Sequence, residues 1–153
     1  MPSSARPRLR LQDYLPYRLS VASNAVSRLI AGAYEHQFGI KNPQWRLLAV
    51  LADEGALTQQ TLCGRTIMDK VTVMRAAQAL LRRRLVKRLP NVEDGRSHRL
   101  MLTAAGRRLY DRIVPLALAY ESRLLGGIGR REIVRLERLL RRVEQAATLQ
   151  NQS

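Results

Sequence analysis

The sequence predicts a mainly α-helical fold with a small β-hairpin wing: a winged helix-turn-helix enclosed by long N- and C-terminal helices. Three observations predict it. Apolar residues recur at helical spacing over most of the 153 residues. The period switches to alternation between 85 and 102, around a segment rich in turn residues. Two short helical segments joined by a tight turn stand just before that switch.

Each element has a local reason. Residues 1–12 hold two prolines, two serines and alternating arginines, the composition of a flexible arm. Asp13 is placed to cap a helix from about Tyr14 to Phe38, with Pro16 in its first turn and Gly39 after it. Leu15, Leu19, Ala22, Val26, Leu29 and Ala33 set its helical stripe. Asn42-Pro43 reads as a cap followed by proline at the first helical position of a helix running to Asp53. Thr58 is placed to cap a third helix, and Asp69 a fourth that runs to about Arg84. Leu85–Leu89 and His98–Leu102 alternate as strands, and 90–97 carries Pro, Asn, Asp-Gly and Ser between them. Thr103 is placed to cap a helix through about Leu125, bent near Pro115. Gly126, Gly127 and Gly129 break it. A last helix, Arg130 to about Ala147, sets Ile133, Leu136, Leu140 and Val143 on one face.

Composition limits the function. Lys and Arg total 27 against 12 Asp and Glu, a formal charge of +15. Residues 56–102 hold 10 basic and 3 acidic groups, so this third of the chain carries +7 of the excess. A concentrated cationic field implies a polyanion, most commonly duplex nucleic acid, although charge alone fits a merely solvated surface equally well. Hydrophobic residues at 46% supply a core, whereas aromatics at 5% argue against stacking many single-stranded bases. One cysteine makes no internal disulfide, and no metal-spaced cluster exists. The N-terminus lacks an apolar signal core, and no apolar run reaches the roughly 20 residues of a membrane span. A soluble, cytoplasmic protein without cofactor or metal is expected. Along Arg130–Arg142, glutamates interleave with the arginines, which favours a solvated helix face over a membrane-surface helix.

The reading constellation follows from groove geometry. A major groove about 12 Å wide admits one helix, and a preceding helix props it against the backbone. On the helix after Asp69, Val73, Ala76, Ala77, Leu80 and Leu81 share the inner side. Val71, Arg75, Gln78 and Arg82 lie opposite, with Thr72 on their flank. Arg75 can fork onto guanine, while Val71 and the Thr72 methyl can touch thymine methyls. Lys70, Gln78 and Arg82 suit phosphates. In Asp94-Gly95-Arg96 the arginine sits at an exposed tip, suited to a narrow minor groove, and the carboxylate is expected to hold a guanidinium in place. Plainer roles stand beside these: a partly buried Val71 in the turn, a solvated Arg82-Arg83-Arg84, a simple polar turn at 91–97.

Residues 43–112 resemble the MarR family of transcription regulators. The matching pieces are Pro43-Gln44-Trp45-Arg46-Leu47-Leu48, Leu57-Thr58, Asp69 to Val73 with Arg75, Leu85 to Arg88, Asp94 to Ser97, and Leu102-Thr103-Ala104-Ala105-Gly106. Tyr14-Leu15-Pro16-Tyr17-Arg18-Leu19 with Pro115 is similar to a branch that includes repressors of aromatic-acid catabolism. The resemblance implies a homodimer on double-stranded DNA, with 13–42 and 103–153 as dimerisation helices and 43–102 as the DNA-binding domain. It implies base-reading positions at Lys70, Val71, Thr72 and Arg75, with Thr58 among the DNA-contacting set and Asp94 with Arg96 as the wing pair. It also implies release from DNA by a small aromatic effector. Three positions depart from the pattern. Ile67 stands where the turn usually carries glycine, and Val71 where a small hydroxyl residue is frequent. Cys63 lies away from the peroxide-sensing position and reads as core.

For an aromatic acid, Arg18 is the preferred carboxylate partner and Trp45 the preferred wall, with Tyr14, Tyr17 and Arg46 alongside. A core role for Trp45 and an interface role for Tyr17 and Arg18 compete with this. His36 and His98 have no ligand-spaced partner. No phosphate loop, nucleophile elbow or zinc helix appears, so an enzyme is not expected. A sequence-tolerant architectural DNA-binding protein explains the charge, but not an amphipathic reading helix paired with an Asp-Gly-Arg wing.

Overall fold

In the computed structural model, which describes residues 8–151, a short 3-10 turn (Leu11–Asp13) precedes α1 (Leu15–Phe38). There follow α2 (Asn42–Glu54), β1 (Leu57–Thr58), α3 (Gln59–Thr66), α4 (Lys70–Arg82), β2 (Val86–Pro90), β3 (His98–Leu102), α5 (Ala104–Leu125) and α6 (Arg130–Gln150). The expected flexible arm lies partly outside the described residues.

Helix boundaries follow cap chemistry. Thr58 Oγ1 accepts the Thr61 N–H at 3.2 Å, and Asp69 Oδ1 accepts the Thr72 N–H at 2.8 Å. Thr103 Oγ1 accepts the Gly106 N–H at 3.1 Å. Each satisfies one of the donors that a helix start leaves free. Two expected caps differ. Tyr14 precedes α1 without a side-chain cap, while Asp13 sits in the 3-10 turn and pairs with Arg10 at 3.4 Å. At α2 the residue before the helix is Lys41, not Asn42, and its N–H donates to Gln44 Oε1 at 3.1 Å. The glutamine three residues on thus satisfies the N–H of the residue before the helix, the reciprocal half of a capping box.

The hairpin is part of a three-stranded antiparallel sheet in the order β1-β3-β2. The third strand, β1, was not expected. It is only two residues long, with Leu57 opposite Leu100 and Thr58 opposite Arg99. The hairpin register sets Val86 opposite Leu102 and Pro90 opposite His98. Helix α4 ends at Arg82 rather than Arg84, because Arg84 adopts φ +54° and turns the chain into β2.

The chain divides into two units after Ile113. In the first, the core joins Tyr34 and Ile40 to Leu47, Leu48 and Leu51 of α2, and to Leu62, Val73, Leu80 and Leu100. Gly106 meets the Arg84–Leu85 segment so closely that an added Cβ would lie 2.0 Å from the Leu85 carbonyl oxygen. In the second, α6 buries no residue, and Leu136, Leu140 and Val143 are exposed along one face.

Candidate nucleic-acid interface

Helix α4 sorts by face as its period requires. Val73, Ala76, Ala77 and Leu80 are buried, and Leu81 is half-buried. Val71, Arg75, Gln78 and Arg82 are solvent-exposed, with Thr72 half-buried beside them. Val71 is 49% exposed, so about half of its side-chain surface is open on this face. The start of α4 is fixed twice over. Besides the backbone cap, Thr72 Oγ1 donates to Asp69 Oδ2 at 2.6 Å. These bonds from Thr72, side chain first and backbone second, hold the Asp69 carboxyl below its ordinary value.

The turn into α4 is made by Ile67 at φ +52°, ψ +46°, with its side chain 84% exposed. A β-branched residue is costly in this left-handed region. The departure from glycine therefore leaves the turn's shape intact and loads it with strain. Arg65 Nε meets Glu54 Oε2 at 3.0 Å, tying the supporting helix α3 to α2.

Of the three consecutive arginines, only Arg82 belongs to the outer face of α4. Arg83 donates from Nη1 to Gly39 O at 2.9 Å and from Nη2 to Phe38 O at 3.0 Å. It thus binds the end of α4 to the C-terminus of α1, where unpaired carbonyls gather. Gly39 closes α1 at φ +63°, and its N–H donates to Glu35 O.

At the wing, Asp94, Gly95 and Arg96 are all exposed. Asp94 does not hold a guanidinium. Its Oδ1 accepts the Arg96 backbone N–H at 3.0 Å, and its carbonyl accepts the Ser97 N–H at 3.1 Å. Asn91 Nδ2 donates to Ser97 Oγ at 2.7 Å. The carboxylate therefore shapes the tip as an Asx turn and leaves the Arg96 side chain extended into solvent.

Two open clefts flank α4. Between the wing and the start of α4 is one of about 670 Å³, lined by Thr58, Gln59, Lys70, Arg88, Asp94 and Arg96. Between α4 and the start of α2 is one of about 450 Å³, lined by Lys41, Gln44, Thr72, Arg75, Gln78 and Arg82. Lys41 and Gln44 were not among the sequence candidates. Their periodicity is unremarkable, and only the packing of α2 on α4 brings them to this face.

The expected effector residues do not converge within one chain. Trp45 stacks on Tyr110 at 5.6 Å between ring centroids and tilts against buried Tyr34 at 5.3 Å. Arg18, exposed with Tyr14 and Tyr17, lies 16 residues before Tyr34 on the same helix, about 24 Å along its axis. Trp45 is thus an anchor of the aromatic cluster, and Arg46 beside it is exposed. Cys63 is half-buried on α3. Among the described residues no group of three or more His, Cys, Asp or Glu is placed to hold a metal, and no helix is long and apolar enough to cross a membrane.

Comparison with known proteins gives the same architecture. A family model described as MarR family matches residues 38–97. The HTH-type transcriptional repressor NicR of Pseudomonas putida is 27% identical over 141 residues, covering 86% of this chain and 87% of the relative. The PcaV transcriptional regulator of Streptomyces coelicolor, solved in complex with its natural ligand, is 26% identical with a TM-score of 0.76, covering 92% of this chain and 99% of that one. Bordetella bronchiseptica BpsR, whose DNA binding is regulated by 6-hydroxynicotinic acid, shares the fold at a TM-score of 0.83 with 23% identity, over 90% of this chain and 98% of that one. Family model, relative and solved structures agree with the cap, turn and wing geometry that the chain has a winged helix-turn-helix fold similar to that of MarR-family transcriptional regulators.

Proposed function

We propose that the chain is a homodimeric, sequence-specific repressor that leaves a pseudo-palindromic operator when a small aromatic acid binds. One observation carries the DNA reading. Helix α4 has an inner face of buried Val73, Ala76, Ala77 and Leu80, a doubly bonded N-terminus and an outer face of Val71, Arg75, Gln78 and Arg82 open to solvent. A helix so held presents one side-chain set at a fixed attitude, as base readout in a major groove requires. Arg96 on its exposed tip serves the adjacent minor groove.

Dimerisation is supported by apolar surface that one chain leaves open. On α1, Leu15, Val21 and Leu29 are exposed; on α6, Leu136, Leu140 and Val143 are. The α6 residues recur at i, i+4 and i+7, a stripe at helical spacing, and exposed apolar stripes mark protein contacts. A second copy covers both under an isologous two-fold interface. The repressor role is supported by the name of NicR, and a small-molecule effector by the natural ligand of PcaV and the 6-hydroxynicotinic acid that regulates BpsR. The effector's carboxylate partner on this chain is Arg18, with Tyr14 and Tyr17 beside it. Because Trp45 packs against Tyr34, about 24 Å along α1 from Arg18, the rest of that pocket comes from the second copy.

The test is a binding titration of Arg75→Ala against a selected operator and its single-base variants. Loss of a bidentate guanine contact weakens the operator by roughly 1–3 kcal/mol and relaxes choice at one position per half-site. Equal weakening on random duplexes would make Arg75 a phosphate contact instead.

A further inference from the structure

A helix lying in a major groove has a sugar–phosphate backbone on each side of it, and the two clefts beside α4 occupy those two positions. The wing-side cleft mixes charge signs, since Glu93 and Asp94 line it with Lys70, Arg88 and Arg96. The α2-side cleft is lined by Lys41, Arg75 and Arg82 and by no carboxylate. Gln44 is fixed there, because its Oε1 accepts the Lys41 N–H and its amide N–H groups remain free to donate. The 13-residue α2 also directs its positive end toward this cleft. Arg82 lies 12 residues after Lys70, about 18 Å along the helix, further than the roughly 12 Å width of the groove. A helix that enters by its N-terminus therefore carries Arg82 to the groove rim, where phosphates run.

We propose that the α2-side cleft seats one strand of the duplex, with Lys41, Gln44 and Arg82 holding a backbone phosphate while the wing-side cleft takes the opposite strand. This rests on α4 being the groove-entering helix. It adds two DNA-contacting residues, Lys41 and Gln44, outside the helix-turn-helix. It assigns them affinity and register rather than base choice.

The experiment measures binding of the full chain to a selected operator and to a random duplex of equal length between 50 and 200 mM salt. Lys41→Ala and Arg82→Ala are compared with Arg138→Ala, which removes the same charge from α6. Each cleft variant lowers the slope of log affinity against log salt by about 0.9 per protomer, about 1.8 for a dimer. The loss of affinity across that salt range then shrinks roughly 12-fold relative to the parent chain. Operator and random duplex weaken by the same factor, and Arg138→Ala leaves the slope unchanged. Unchanged slopes in both cleft variants, an equal drop in Arg138→Ala, or weakening confined to the operator would each overturn the assignment. So would displacement of the duplex by inorganic phosphate at matched ionic strength that Lys41→Ala abolishes, since the cleft would then be a free-anion site. A parent chain that binds neither duplex would refute the DNA reading itself, and circular dichroism melts confirm that the variants fold.

Discussion

Gly106→Ala separates two physical arguments that give opposite signs. Helix propensity alone expects alanine, third in α5, to stabilise by about 0.5–1 kcal/mol. Packing expects the reverse. The added Cβ would stand 2.0 Å from Leu85 O, 3.0 Å from the Leu85 carbonyl carbon and 3.4 Å from Leu102 Cδ2. Close carbon–oxygen contacts begin near 3.3 Å, so α5 and the Leu85 carbonyl must part by about 1.3 Å. Leu85 is buried and cannot swing into solvent. The same separation stretches Thr103 N–H to Leu85 O, now 3.0 Å, and the Thr103 hydroxyl contact to Arg84 O, now 2.7 Å. Overpacking by a methyl group costs about 1–3 kcal/mol, and a weakened buried hydrogen bond adds about 1. After the propensity gain, the net loss is about 1–3.5 kcal/mol. For a chain of this length that is a fall in Tm of roughly 2–14 °C. Thermal and urea melts at one fixed protomer concentration measure it. A variant as stable as the parent would show that the close approach of α5 to the Arg84–Leu85 turn is not real.

Ile67→Gly moves stability the other way. Relief of the left-handed strain, about 1–2 kcal/mol, exceeds the roughly 0.5–1 kcal/mol of extra unfolded-state freedom, and the exposed side chain gives up little burial. A gain of about 0.5–1 kcal/mol is expected in urea melts, and a loss would mean that the Ile67 side chain has a partner. Asp69 sets an acid limit. Its carboxyl is held below the ordinary 3.8, so its cap is fully present above that value and is lost as pH falls through the lower folded value. Asp69→Asn flattens that acid arm of the stability curve; an unaltered arm would assign it to other carboxylates. Arg18→Ala weakens release by an aromatic acid roughly 10- to 100-fold, the worth of a charged hydrogen bond, with operator affinity unchanged. Dissociation of the dimer in that variant would place Arg18 in the interface instead.

Features set by chemistry within a few residues were legible in the sequence. Thr58, Asp69 and Thr103 are short polar side chains just ahead of an apolar period, and all three cap their helices. The faces of α4 follow from 100° per residue, and the strands from alternation. What stayed hidden depends on groups distant in the chain. Strand β1 has two residues, too few for any period, and exists because Leu57 finds Leu100. Arg83 looked like one of three equivalent cations until α1 and α4 were packed together. Packing of α2 on α4 carries Lys41 to the cleft beside α4. Asp94 was assigned to a guanidinium on charge, yet the nearer donor was the Arg96 backbone. That Trp45 and Arg18 do not meet within one chain was likewise hidden, because periodicity places residues on faces but not at the same height along a helix.

The central claim is that two copies of α4, held at a fixed separation, read one duplex side by side. Selection of bound sites from random duplexes, followed by footprinting on the selected sequence, tests it most directly. The account predicts two inverted half-sites with centres about 10 bp apart, protected on one face of the DNA. An irregular footprint without a dyad, and a selected pool no richer than the starting one, would contradict it and leave a basic architectural protein in its place.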